Sequence, residues 1–187
     1  HAIIEQEKDM TNHETLHPTP DTLDRLLGLT PGQPTCEIRH QRTKVVDATQ
    51  ASENLLLGAP VEGLLLSDRL LVALLACALT PSQALKNEYA NRLSVLGVPD
   101  HTIQSVASAQ LEELNDPRLK QMLIFTAALI TDPIKADKEA LLTLKASGLT
   151  TPQITALSQL VAFVSYQVRV YAGLHALNLF HSQGAQS

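Results

Sequence analysis

Apolar residues recur every three or four positions through most of this chain, and no stretch alternates apolar and polar residues over the length of a strand. Pro20-Asp21-Thr22-Leu23 opens a short helix with Leu23, Leu26 and Leu27 on one side, and Gly28 and Pro31-Gly32 stop it. A second helix is expected over 35–57. Its apolar positions are sparse (Ile38, Val45, Val46, Leu55, Leu56), so it should lie across a surface until Gly58-Ala59-Pro60 ends it. Ser67 and Asp68 are candidate caps for a helix over 69–79, whose run LLVALLACAL is apolar all round and marks a central position. After the Thr80 break, Pro81 suits the first position of a helix over 82–96, with Leu85, Tyr89, Leu93 and Leu96 on one face and Gly97 ending it.

Asp100 is expected to cap a helix reaching about 114. Asn115-Asp116-Pro117 starts another over 118–130, and Asp132-Pro133 breaks it. A short helix over 137–146 stops at Gly148, and Thr151-Pro152 opens the longest segment, 153–180. The pattern predicts an all-α fold of at least six helices, with an antiparallel pair formed by 69–79 and 82–96 at its centre. One domain over 20–181 accounts for it, and the two apolar hairpins do not align as a repeat. Residues 1–19 read as a flexible polar tail or a tag remnant, with Met10 a candidate native start.

Composition adds exclusions. The chain has 187 residues, a net charge of -5 and no basic stripe, which argues against nucleic acid as a partner. The apolar runs over 64–80 and 154–180 are interrupted by polar residues, among them Arg69, Gln167 and Arg169. Neither reaches the ~20 uninterrupted apolar residues of a membrane span, so no membrane association is expected. The N-terminus lacks the pattern of a signal peptide, and the reading is cytoplasmic. Cys36 and Cys77 stand far apart, form no C-x-x-C, and read as two reduced thiols with Cys77 buried; no metal site and no cofactor is expected.

The stretch 66–100, LSDRLLVALLACALTPSQALKNEYANRLSVLGVPD, resembles the alkylhydroperoxidase D-like/carboxymuconolactone decarboxylase superfamily. Members carry L-S-x-R-E-L-V-A-L-x-V-A, a break, C-x-x-C-x-x-x-H and a helix ending in a glycine. The run SQLVAFVSYQVRVYAGLHAL is similar to the closing helix of one subgroup, and together the two cover roughly 120 residues of the chain. The resemblance implies the family's helical fold, an antioxidant peroxidase or decarboxylase activity, and homo-oligomers, either trimers or hexamers built from dimers. Anchored on Gly97, it places the first redox cysteine on Ser82, the second on Leu85, the histidine on Tyr89 and the relay glutamate on Leu70. All four functional positions are therefore replaced. A thiol peroxidase needs a thiolate and a resolving thiol, and Ser82 has no histidine at the next turn to serve as base. For decarboxylase chemistry the motif region offers only Glu88 and Tyr89. No catalytic residue is assigned.

Two function classes follow. One is a catalytically silent oligomeric scaffold that binds a small ligand, alone or paired with an intact C-x-x-C paralogue. The other is an enzyme using a noncysteine site or a partner's dithiol. The ligand-binding candidates are Glu88, Tyr166 and Arg169. Arg169 lies in an apolar helix among Val161, Val164, Val168, Val170 and Leu174, so it is expected to leave bulk water and need an anion. It either closes a structural ion pair, with Glu88 or a neighbouring subunit, or joins Tyr166 at the polar end of a pocket for an anionic ligand. His175 reads as a satisfied core or interface histidine.

Overall fold

A computed structural model describes residues 21–184, and the tail expected over 1–19 lies outside them. The described residues form nine α-helices: α1 (Thr22–Leu27), α2 (Pro34–His40), α3 (Thr43–Leu57), α4 (Leu66–Leu79), α5 (Gln83–Val95), α6 (Asp100–Ala107), α7 (Pro117–Thr131), α8 (Lys138–Ala146) and α9 (Thr151–Gly184). Short 3-10 turns cover Leu111–Glu113 and Pro133–Lys135. Among these residues there is no strand, only an isolated bridge between Val61 and Leu64.

The core is built on α4. Every residue from Leu70 to Cys77 is 2% exposed or less, because α5, α6, α7 and α9 close around the helix. Each fully buried Leu there contributes roughly 1.5–3 kcal/mol. From α5 come Leu85, Tyr89 and Leu93, from α7 Met122 and Leu123, and from α9 Leu157, Leu160 and Val164. Helix starts use the expected chemistry at three places. The carboxylates of Asp21, Asp116 and Asp137 accept backbone N–H groups of the first turns of α1, α7 and α8. Gly97 and Gly148, with φ of +76° and +93°, follow α5 and α8 in the left-handed region that glycine tolerates.

Several expectations need correction. The helix predicted over 35–57 is two helices, divided at Gln41-Arg42, where Arg42 has φ -113° and ψ 56°. The cause is tertiary: Arg39 and His40 at the end of α2 are held by Asp21 and Asp24 of the α1 segment. Ser67 and Asp68 do not cap α4, which begins at Leu66. Asp68 sits in its first turn and pairs with Arg118 Nη1 at 3.5 Å. Pro81 precedes α5, leaving Ser82 at the cap position, and Pro99 rather than Asp100 stands at the cap position of α6; neither makes a side-chain capping hydrogen bond. The helix predicted to about 114 stops at Ala107. Ala109 takes φ +56°, and the Gln110 N–H reaches back to the Ser105 carbonyl at 2.8 Å. That is a Schellman-type stop built without glycine.

Candidate functional site

The positions that the resemblance assigns to redox chemistry are part of the core. Leu70, Leu85 and Tyr89 are 0–1% exposed, and Ser82 is also buried, its Oγ without a hydrogen-bond partner. Tyr89 is held by a network that spans four helices. Its hydroxyl donates to Gln167 Oε1 on α9, and Gln167 Nε2 donates to Glu53 Oε2 on α3 at 2.9 Å. Glu53 Oε1 accepts from Thr22 Oγ1 and from Arg92 Nη1, each at 3.0 Å. Arg92 Nη2 donates to the Leu57 carbonyl at the end of α3 at 2.9 Å, and its guanidinium stands 5.8 Å from the centre of the Tyr89 ring. The direction of the chain follows from the groups themselves. A carboxylate only accepts, so the Gln167 amide nitrogen faces Glu53 and its oxygen faces Tyr89.

Burial raises the pKa of Glu53 above the ordinary carboxylate range, opposed by the donors Thr22, Arg92 and Gln167. Burial likewise pushes the Tyr89 phenol well above its usual value, with the Glu53 charge adding to the shift. Tyr89 therefore stays a neutral hydrogen-bond donor. Its hydroxyl and the amide of Gln167 are satisfied by protein groups, which makes this network structural rather than reactive.

Neither cysteine is poised for chemistry. Cys77 on α4 is 1% exposed, and burial alone pushes its thiol up to about 12. Cys36 on α2 is 6% exposed, and burial, reinforced by Asp24, raises its thiol as well. A nucleophilic cysteine needs the opposite environment, partly exposed and electropositive. Among the described residues, no cluster of three or more His, Cys, Asp or Glu side chains could hold a metal ion, and no helix is long and apolar enough to cross a membrane.

The three ligand-binding candidates are not brought together. Glu88 Oε1 pairs with Arg25 Nη2 at 2.7 Å. Tyr166 Oη bonds Thr49 Oγ1 at 3.0 Å. Arg169 is exposed, against expectation, and its Nη1 donates to the Ser165 carbonyl one turn back at 2.6 Å. The ion pair expected between Glu88 and Arg169 is absent because α9 turns Val161, Val164 and Val168 inward and carries Arg169 on its outer side. His175 is exposed too and stacks on Tyr171 with ring centres 5.9 Å apart.

Glu88 instead lines a groove of about 300 Å³ between α4 and α5, with Leu66 and Leu70 on one side and Asn91, Arg92 and Leu96 on the other. The groove thus holds a carboxyl group and a guanidinium, but Glu88 is tied to Arg25 and Arg92 to Glu53.

A second polar cluster escaped the sequence reading. Arg39 forks onto Asp21, with Nη1 to Oδ1 at 3.1 Å and Nη2 to Oδ2 at 2.6 Å, and also pairs with Asp24. His40 Nε2 donates to Asp24 Oδ2 at 2.8 Å. Burial disfavours the Arg39 cation, and the two carboxylates more than offset this, raising its pKa. The cluster clasps α1 to α2.

The chain matches no family model and no curated protein. Its assignment therefore rests on the residues. Of those that matter, Gln167 carried a signal, a polar residue in an apolar run, whereas Glu53 and Arg92 read as ordinary positions on helix surfaces.

Proposed function

We propose that this chain is a thiol-silent helical scaffold on the alkylhydroperoxidase D-like plan, with α4 and α5 as its antiparallel central pair. It assembles as a homo-oligomer and binds a small ligand rather than reducing peroxides. The observation that carries the silent reading is the fate of the motif positions. Leu85 fills the core where a resolving cysteine belongs. Tyr89 is locked to Gln167 where the histidine belongs, and both thiols are buried with raised pKa values. The three-residue connection through Thr80, Pro81 and Ser82 suits antiparallel neighbours, since short helix–helix links join helices that pack side by side.

The α4–α5 groove is the ligand site in this reading. Leu66 and Leu70 offer an apolar wall, and Glu88, Asn91 and Arg92 a polar edge. A ligand with an apolar body and one polar end fits that division. The test is a thiol-coupled peroxide reduction assay on the wild-type protein and on Cys77→Ser. Both should show only background turnover. Peroxide reduction by the wild type that Cys77→Ser abolishes would overturn the reading.

A further inference from the structure

The outer side of α9 carries one charged residue, Arg169, far fewer than an outward helix face normally does. Thr151–Gly184 contains no Asp, Glu or Lys, and Arg169 is its one Arg. A surface helix is ordinarily charged or polar on the face it turns to water. Here Ala162, Tyr166, Arg169, Gly173, Ala176 and Phe180 are all exposed, at spacings that alternate four and three, so they form one straight seam along the helix. Beside Tyr166 the seam continues into a groove of about 350 Å³ bordered by Lys44, Val45, Ala48, Thr49 and Ser52 of α3.

Gly173 is the second observation. A glycine in the interior of a helix is unfavourable relative to alanine. A Cβ added at Gly173 would meet nothing within 4 Å among the described residues, so none of them requires a missing side chain there. Close approach of another backbone is what the absence permits.

The seam is also self-complementary. Tyr166 lies seven residues before Gly173 and Phe180 seven residues after it. Two antiparallel copies crossing at Gly173 therefore set each Tyr166 ring opposite a Phe180 ring. The area suits a small dimer interface. Tyr166, Phe180 and Val45 are 40%, 71% and 52% exposed. At about 200 Å² for a whole aromatic and about 100 Å² for an aliphatic side chain, they expose about 275 Å². The exposed Ala48, Ala162 and Ala176 add to this, toward the roughly 450 Å² of apolar area on one side of a standard interface.

We propose that two copies of this chain pack antiparallel through the outer seam of α9, crossing at Gly173, with Tyr166 of each copy against Phe180 of the other. This rests on the assembly half of the functional reading and is independent of the thiol half.

Sedimentation of the full chain at micromolar concentration tests it. The wild type should run as a dimer or a multiple of one. Gly173→Glu places a long side chain at the crossing, and its Cβ meets nothing within 4 Å among the described residues. It should keep the helical circular dichroism spectrum and raise the dissociation constant at least ~100-fold, because the added side chain fills the space that the second backbone needs at the crossing. Ile134→Glu, at a position 87% exposed and outside α9, should associate like the wild type. The Tyr166→Cys, Phe180→Cys double variant should form a disulfide-linked dimer on mild oxidation, which reports the seam even if Gly173→Glu fails to fold. A monomeric wild type would overturn both the assembly reading and the seam. An associated wild type whose Gly173→Glu variant associates equally well, with no cross-link in the double variant, would overturn the seam and leave assembly standing.

Discussion

Replacing Gln167 with Leu probes the buried network at its middle. The residue is fully buried, and Leu has nearly its volume, so packing changes little. Two partners are orphaned. The Tyr89 hydroxyl loses its acceptor, and Glu53 Oε2 loses the amide donor at 2.9 Å. An unsatisfied buried hydroxyl costs about 1–3 kcal/mol, and a lost hydrogen bond to a charged group about 1.5–3 kcal/mol. Better burial of the apolar side chain returns part of this, so the net loss should be about 2–4 kcal/mol. For a chain of this size that is a fall in melting temperature of roughly 5–15 °C.

The pH dependence has a definite sign. The folded pKa of Glu53 is already raised by burial, so its ionised form is penalised at neutral pH, and removing a donor raises it further. The difference between variant and wild type should be largest near pH 7 and shrink as the pH falls through the raised folded-state values, before the ordinary carboxylate range is reached. Thermal melts followed by circular dichroism at pH 7 and pH 4 provide the assay. Adding Tyr89→Phe removes one of the orphaned groups, so the double variant should be less destabilised than the sum of the two single variants. A melting temperature within 1–2 °C of wild type, or strict additivity in the double variant, would refute the network as described.

Two further substitutions probe the fold. Leu74→Ala, at a fully buried position in the middle of α4, should cost about 2–5 kcal/mol in chemical denaturation, and a loss under ~1 kcal/mol would contradict the central position of that helix. Ala109→Gly should stabilise the protein by about 0.5–1 kcal/mol, since φ +56° is unfavourable for a residue with a Cβ, and a loss of stability would show that the left-handed stop after α6 is wrong.

Much of the helix plan was legible because proline, glycine and capping acids punctuate the chain. Asp21, Asp116-Pro117, Asp137, Gly148 and Pro152 set element ends that the structure reproduces within a residue or two. The breaks that escaped have no such residue. Gln41-Arg42 contains no helix breaker by type, and Ala109 does a glycine's work, so both stops are set by tertiary contacts and backbone geometry rather than by local chemistry.

The candidate site was harder to read, for a reason visible in α9. A helix apolar on every side has no periodicity to mark its inner face. Both Gln167 and Arg169 interrupt the run, and the pattern alone does not say which points inward. The structure buries Gln167 and exposes Arg169. The partner that makes Gln167 meaningful, Glu53, lies 114 residues away. The Arg39 clasp has the same character, with Asp21 18 residues back in the chain.

The central claim is that neither thiol is available for chemistry, and thiol titration with an aromatic disulfide reagent at pH 8 tests it most directly. In native protein Cys36 and Cys77 should react no faster than the chain unfolds, and both should react at once in strong denaturant, because burial holds Cys77 near 12 and raises Cys36. Rapid stoichiometric modification of either cysteine in the folded protein would contradict the account.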